Sequence, residues 1–210
     1  MLLKKSIVYL IEFLLLRYRQ WHREVKLHNY RRISQIGAHF CQAAFNPLCG
    51  EHLLIFNRAS RKNILIGDNV LLDCKINCNS SGRVTIGNYT SIRENSVINC
   101  DNEVMIGNFC FIGNDVLIQD NDSHPESPSL RQQQSLNILK SNTDTYGAPN
   151  SSITIADRVW IGTGATILKG VHIGEGAIIG TGAIVTRSVP SLSLAAGNPA
   201  RVVRTIKDEP

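Results

Sequence analysis

The chain lacks most of what would tie a protein to a disulfide framework, a bilayer or a nucleic acid. Its 210 residues include six cysteines, at 41, 49, 74, 78, 100 and 110, but no Cys-x-x-Cys pair and no secreted framework. This points to reduced thiols in a cytoplasmic protein and predicts no metal site. The uncharged stretch of the N-terminal segment is far below the roughly 20 residues that span a bilayer. The most apolar run is broken by Glu12, and no small-residue cleavage site follows it. Basic charge is scarce on the body: residues 1–32 carry Lys4, Lys5, Arg17, Arg19, Arg23, Lys26, Arg31 and Arg32 against Glu12 and Glu24, a net +6, and the remainder is −1. A folded surface that is not basic argues against nucleic-acid binding. No linker marks a second globular domain.

The first segment has a pattern of its own. Leu3, Ile7, Leu10, Ile11, Leu14, Leu15 and Tyr18 fall near one helical face, flanked by lysines and arginines. The pattern predicts an amphipathic basic helix over 1–32, packed on its own subunit or a neighbour's, or resting on an anionic membrane face. The expected organisation is that helix, a repeat domain over 33–206 with an interrupting loop at 119–152, and a short tail at 207–210.

The repeat dominates the rest. Ile155, Ile161, Ile167, Ile173, Ile179 and Val185 are spaced by six, and Gly162, Gly174 and Gly180 directly follow three of them. The same beat recurs as Ile106, Ile112, Ile118, then Ile86, Ile92, Ile98, and more weakly as Ile66, Leu72, Cys78. Alternation as in Val159-Trp160-Ile161 and Val171-His172-Ile173 reads as very short strands with Trp160 and His172 outside the core. Gly67-Asp68-Asn69, Gly87-Asn88 and Gly107-Asn108 suit tight turns. Three strands and three turns close a triangular coil of eighteen residues; Ile66, Ile86 and Ile106 are twenty apart, so two residues are inserted per coil there. The predicted fold class is an all-β solenoid, stabilised coil upon coil.

Between Ile118 and Ile153 the beat is lost, and the polar stretch QDNDSHPESPSLRQQQSLNILKSNTDTYGAPNSS intervenes. Structureless insertions of this length inside a compact fold are usually functional or disordered. His124, with Asp120 and Asp122 before it and Pro125 after it, is the best chemical candidate: an imidazole able to accept a proton near neutral pH, with a carboxylate nearby to orient it.

The hexapeptide coils, the His124-Pro125 step in the loop, the restart Val159-Trp160-Ile161-Gly162 and the ending AAGNPARVVRTI resemble the hexapeptide-repeat O-acetyltransferases over about residues 60–206. The pattern is similar to the maltose and galactoside acetyltransferases and to those that decorate capsule and lipopolysaccharide sugars. The resemblance implies a left-handed parallel β-helix, a homotrimer, acetyl-CoA as donor, a carbohydrate acceptor and no metal. It places the general base on His124 and an acceptor-binding carboxylate on Asp101. It places coenzyme A contacts on Trp160, Thr163, Gly180, Thr181, Thr186, Arg187, Arg201 and Arg204. In such a reaction the acceptor hydroxyl attacks the thioester directly, without an acyl-cysteine.

The departures concern the acceptor. The insertion, with Gln132, Gln133 and Gln134 and a Tyr146-Gly147-Ala148-Pro149 turn, is longer than in the small sugar acetyltransferases, and the N-terminal helix differs from their N-terminal domain. Both favour a polysaccharide or oligosaccharide made at the inner membrane face over a free disaccharide. The alternatives are an N-acetyltransferase of a nucleotide-linked amino sugar and a non-catalytic hexapeptide scaffold. A γ-class carbonic anhydrase needs three zinc-binding histidines, two of them five apart, and no histidine lies five from His124.

Overall fold

The structure is a computed structural model that describes Arg17 and residues 39–40, 48–50, 52–138 and 147–208. The helix expected over 1–32 is, Arg17 aside, outside the described residues, as are Tyr146 and the last two residues of the expected tail. Gly37–Pro210 forms one compact unit, a parallel β-solenoid.

Three ladders of parallel strands wind it. The first runs through His39–Phe40, Ile64–Ile66, Arg83–Ile86, Glu103–Ile106, Ile153–Ile155 and His172–Ile173. The second and third form one continuous sheet, because Leu71–Cys78 and Ser91–Cys100 turn the corner between the two ladders without a break. Register stacks like on like. Ile66, Ile86, Ile106, Ile155 and Ile173 form the first column. Leu72, Ile92, Ile112, Ile161, Ile179 and Ala195 form the second. Ile76, Ile98, Ile118, Ile167 and Val185 form the third. Every one of these side chains is buried, so the six-residue beat is the core itself. One assignment from the spacing is corrected: Ile76, not Cys78, occupies the third column of the first coil, and Cys78 pairs with Cys100.

Where the beat calls for glycine, the reason is approach between coils. A Cβ on Gly162 would lie 2.7 Å from the Thr181 amide nitrogen of the next coil. The left-handed dihedrals fall elsewhere, most of them at two corners. Between the first and second ladders they belong to Asn69, Tyr89, Phe109, Arg158, Gly176 and Leu192; between the second and third, to Asn95, Asp115, Gly164 and Gly182. Most of these residues donate their N–H to a carbonyl of the coil before, as Asp115 does to Glu94 (3.0 Å) and Gly182 to Thr163 (2.9 Å). Buried hydroxyls are satisfied in the same way: Thr90 donates to the Gly107 carbonyl (2.8 Å) and accepts from the Cys110 amide (3.1 Å).

The third corner, between the third and first ladders, holds the additions. Ile98 and Ile106 are eight apart where Ile167 and Ile173 are six, and the surplus is the bend at Asp101-Asn102. One coil later the long insertion leaves from the same corner. Its neck is closed by an antiparallel bridge between Asn121 and Asn150, with Ser151 donating to the Asp120 carbonyl at 2.8 Å. The stretch read as a loop also contains helix α1, Pro128–Ile138. A serine before a proline at the first helical position is a helix-start signature present in the sequence.

Candidate active site

Asp120 closes the third column at this corner, and it is fully buried. Its carboxylate accepts from the backbone amides of Asp101 and Asn102, both at 2.8 Å, and from the Asn121 side chain at 3.0 Å. These bonds fix the bend that carries Asp101. The Asp101 carboxylate is buried too; Oδ1 accepts from the Asn79 side chain, and Oδ2 has no hydrogen-bond partner. An uncompensated buried acceptor is costly, which makes Oδ2 a ready acceptor for an incoming donor.

Asp122 is also committed, to Lys169 at 2.6 and 2.7 Å, which pins the insertion's neck to the coil below. Neither aspartate orients His124, as the sequence suggested. That role falls to Gln134 of α1, whose Oε1 lies 2.8 Å from His124 Nδ1. Gln134 is buried, and its Nε2 donates to the Ser123 carbonyl (3.2 Å), while the imidazole is exposed. Arg131 secures the turn beneath by donating to the carbonyls of Pro125 (3.0 Å) and Glu126 (2.7 Å).

A second group of candidates lies on the outer surface of the second ladder. Trp160 is 54% exposed and pairs with Ile178, which pairs with Leu194, which pairs with Arg204 of the antiparallel strand Ala200–Thr205. Arg201 and Arg204 are three apart, so a regular strand would turn them to opposite faces. A register shift between Leu194 and Ala195 leaves Val203 unpaired, and both arginines end on the face of Leu194 and Ala196. Trp160 and Arg204 are then three strand spacings apart, about 14 Å. Thr163, Gly180 and Thr181 line the adjoining corner between the second and third ladders.

Thr186 and Arg187 fall with the first group. They follow Val185 as Gln119-Asp120 follow Ile118 and Leu168-Lys169 follow Ile167, at the corner that carries His124. Within a single chain the candidate residues therefore fall into two groups: Asp101, His124, Thr186 and Arg187 at one corner, and Trp160, Thr163, Gly180, Thr181, Arg201 and Arg204 on the second ladder and the corner beside it.

The hexapeptide pattern of bacterial transferases (six repeats) matches residues 152–187. Over 186 residues the chain is 30% identical to a putative acetyltransferase of Saccharomyces cerevisiae, covering 89% of this chain and 81% of that one. The chain belongs to the hexapeptide-repeat acetyltransferases. It is also 32% identical over 145 residues to the galactoside O-acetyltransferase of Lactococcus lactis, covering 68% of this chain and 63% of that one. Among solved structures it superposes on the polySia-specific acetyltransferase NeuO with a TM-score of 0.61 at 29% identity, covering 77% of this chain and 65% of that one. A galactoside acetyltransferase in complex with coenzyme A gives a TM-score of 0.57 at 32% identity, covering 68% of this chain and 65% of that one. The chain thus spans less than two thirds of the galactoside enzymes it matches.

In this hexapeptide-repeat acetyltransferase the described cysteines are poorly placed for covalent chemistry. Cys74, Cys78, Cys100 and Cys110 are buried and form no disulfide. The hydrogen bond with Cys78, and then burial, push the Cys100 thiol far up; burial pushes Cys110 up as well. Among the described residues no group of three or more His, Cys, Asp or Glu could hold a metal ion, and no helix is long and apolar enough to cross a membrane.

Proposed function

We propose that the chain is an acetyl-CoA-dependent O-acetyltransferase that modifies a sugar hydroxyl of a surface polysaccharide or oligosaccharide, with His124 as general base. The observation that carries this reading is the imidazole at the mouth of the insertion: exposed, held through Nδ1 by Gln134, and one corner bend from the unpartnered Asp101 Oδ2. His124 takes the hydroxyl proton as oxygen attacks the thioester carbonyl, and Asp101 receives a hydrogen bond from a neighbouring hydroxyl of the acceptor. Trp160 lies beside the pantetheine arm, Thr163, Gly180 and Thr181 meet its amides, and Arg187, Arg201 and Arg204 meet the phosphates, with Thr186 alongside. Charge-assisted bonds of this kind are worth about 1.5–3 kcal/mol each.

The coenzyme A complex of the galactoside acetyltransferase supports the donor, and the names of the galactoside and polySia enzymes support a carbohydrate acceptor. The separation of the two groups of candidate residues supports a homotrimer whose sites each take one group from each of two chains. The reading places the enzyme in the cytoplasm, with residues 1–32 set against the inner membrane face or a neighbouring subunit. A thiol-release assay across hydroxyl and amine acceptors tests the reaction: release with sugar hydroxyls supports it, and release with amino sugars alone overturns it in favour of N-acetylation. Sedimentation at micromolar concentration tests the assembly, and a monomer would refute it.

A further inference from the structure

We propose that Gln134 is a positioning residue that holds His124 as the Nδ1–H tautomer and leaves Nε2 as the sole proton acceptor of the imidazole. The inference rests on the reading of His124 as the base. It follows from the chemistry of an amide with two partners. Ser123 offers Gln134 a carbonyl, which can only accept, so the amide nitrogen must face it, at 3.2 Å. The amide oxygen is then the atom 2.8 Å from His124 Nδ1. An amide oxygen cannot donate, so Nδ1 must carry the proton. Gln134 is 4% exposed, and reversing its amide would set its oxygen against the Ser123 carbonyl, two acceptors face to face with little water to separate them.

The backbone reinforces this geometry. Ser123 has a positive φ of 61° and its amide is held by Asn121 Oδ1 at 2.9 Å, so the Ser123 carbonyl and the His124 ring are presented together to α1. Among the charged groups near the ring, Asp120 is spent on the backbone of residues 101–102, Asp122 on Lys169, and Arg131 on the carbonyls of Pro125 and Glu126. Glu126 is exposed on the same turn. A neutral amide fixes ring orientation and tautomer without adding a negative charge. In the reaction the O–C bond forms as the hydroxyl proton passes to Nε2, the C–S bond breaks, and the proton goes on to the departing thiolate.

The test compares Gln134→Leu and Gln134→Glu with the parent, using full-length protein, acetyl-CoA and the best hydroxyl acceptor from the thiol-release assay. Gln134→Leu should lower kcat roughly 10- to 100-fold with KM for acetyl-CoA within about twofold. Gln134→Glu keeps an acceptor at Nδ1 and should recover part of the loss. Its carboxylate favours the protonated ring, so the acid limb of the pH–rate profile should move upward by about one pH unit. Nitrogen-15 spectra of the ring should show Nδ1–H in the parent and a mixture in Gln134→Leu. A parental kcat in Gln134→Leu, an unmoved acid limb in Gln134→Glu, or an Nε2–H ring in the parent would each overturn the assignment. The last is read on the parent alone, so it holds even if a variant fails to fold. Parental turnover in His124→Ala would instead remove the base reading on which the inference rests.

Discussion

The N-terminal and C-terminal coils share three columns of core residues and differ at nearly every corner. From residue 153 to 189 the coils take eighteen residues or fewer, with alanine at inner corner positions such as Ala165, Ala177 and Ala183 and glycine at left-handed positions such as Gly164, Gly176 and Gly182. From 64 to 118 they take twenty or twenty-two, the same inner corners hold Thr90, Ser96 and Cys110, and the left-handed positions hold Asn69, Tyr89, Asn95, Phe109 and Asp115. The exposed rings of Tyr89 and Phe109 stack there at 5.1 Å. Outside the third ladder an amide ladder joins Asn77 to Asn99 (2.7 Å) and Asn99 to Gln119 (3.0 Å). A solenoid coil requires only its columns, so its corners can lengthen without loss of register. The regular coils carry the proposed donor side and the irregular ones the proposed base and acceptor side.

The sharpest way to separate the two regions is to remove the base. His124→Ala should lower turnover about 10²- to 10⁴-fold with coenzyme A affinity nearly unchanged, because a general base acts in the transition state and not on the donor. Single-turnover kinetics alongside calorimetric coenzyme A binding would read the two separately.

The shared columns predict the opposite outcome, equal sensitivity in both regions. Ile118 and Ile167 are register partners across the insertion, and both are buried. Ile118→Ala and Ile167→Ala should each cost about 2–5 kcal/mol by urea unfolding. A much smaller loss at Ile118 would mean that the irregular coils are not held by the same core.

On the donor side, Arg201→Ala or Arg204→Ala should raise KM for acetyl-CoA about tenfold or more while that for the sugar barely changes, since a remote phosphate contact is mostly uniform binding. A truncated acetyl-pantetheine thioester should erase the difference from the parent. Continued impairment with that donor would relocate the coenzyme A site.

A smaller effect comes from exchanging corner chemistry. Gly182 has φ 67° and open space around its Cβ position, and Asn95 occupies the same corner at φ 61°. Gly182→Asn should therefore shift stability by no more than about 1 kcal/mol, whereas Gly162→Ala, which meets backbone at 2.7 Å, should cost about 1–3 kcal/mol. Melting temperatures of the pair would show whether the corners are as interchangeable as the comparison implies.

The smallest effect is electrostatic and bridges the regions. Hydrogen bonds from the Asn108 backbone amide and side chain hold Asp157 below the ordinary carboxylate range. Because the folded value is the lower one, this stabilisation is present above the unfolded carboxylate range and is lost as pH falls through the folded value. Asp157→Ala should flatten the acid limb of the stability profile slightly, which chemical denaturation between pH 3 and 6 would detect.

The solenoid, its columns and the outward Trp160 and His172 were legible in the sequence, because a six-residue beat of aliphatics is directly the core of such a coil. His124 stood out by its place in the break and by family pattern. Helix α1 was signalled by Ser127-Pro128 yet was masked by the polarity of the stretch around it. Four relations were decided only in three dimensions. Asp120 was spent on the bend that carries Asp101. Gln134 came to His124 from ten residues away. A bulge at Val203 put Arg201 and Arg204 on one face. The two groups of candidate residues fell on different parts of the solenoid. A linear repeat specifies which side chains point inward and how coils stack, because both follow from local alternation. It carries no record of which corner side chains share a partner, since those contacts join residues that meet only after the coils have closed.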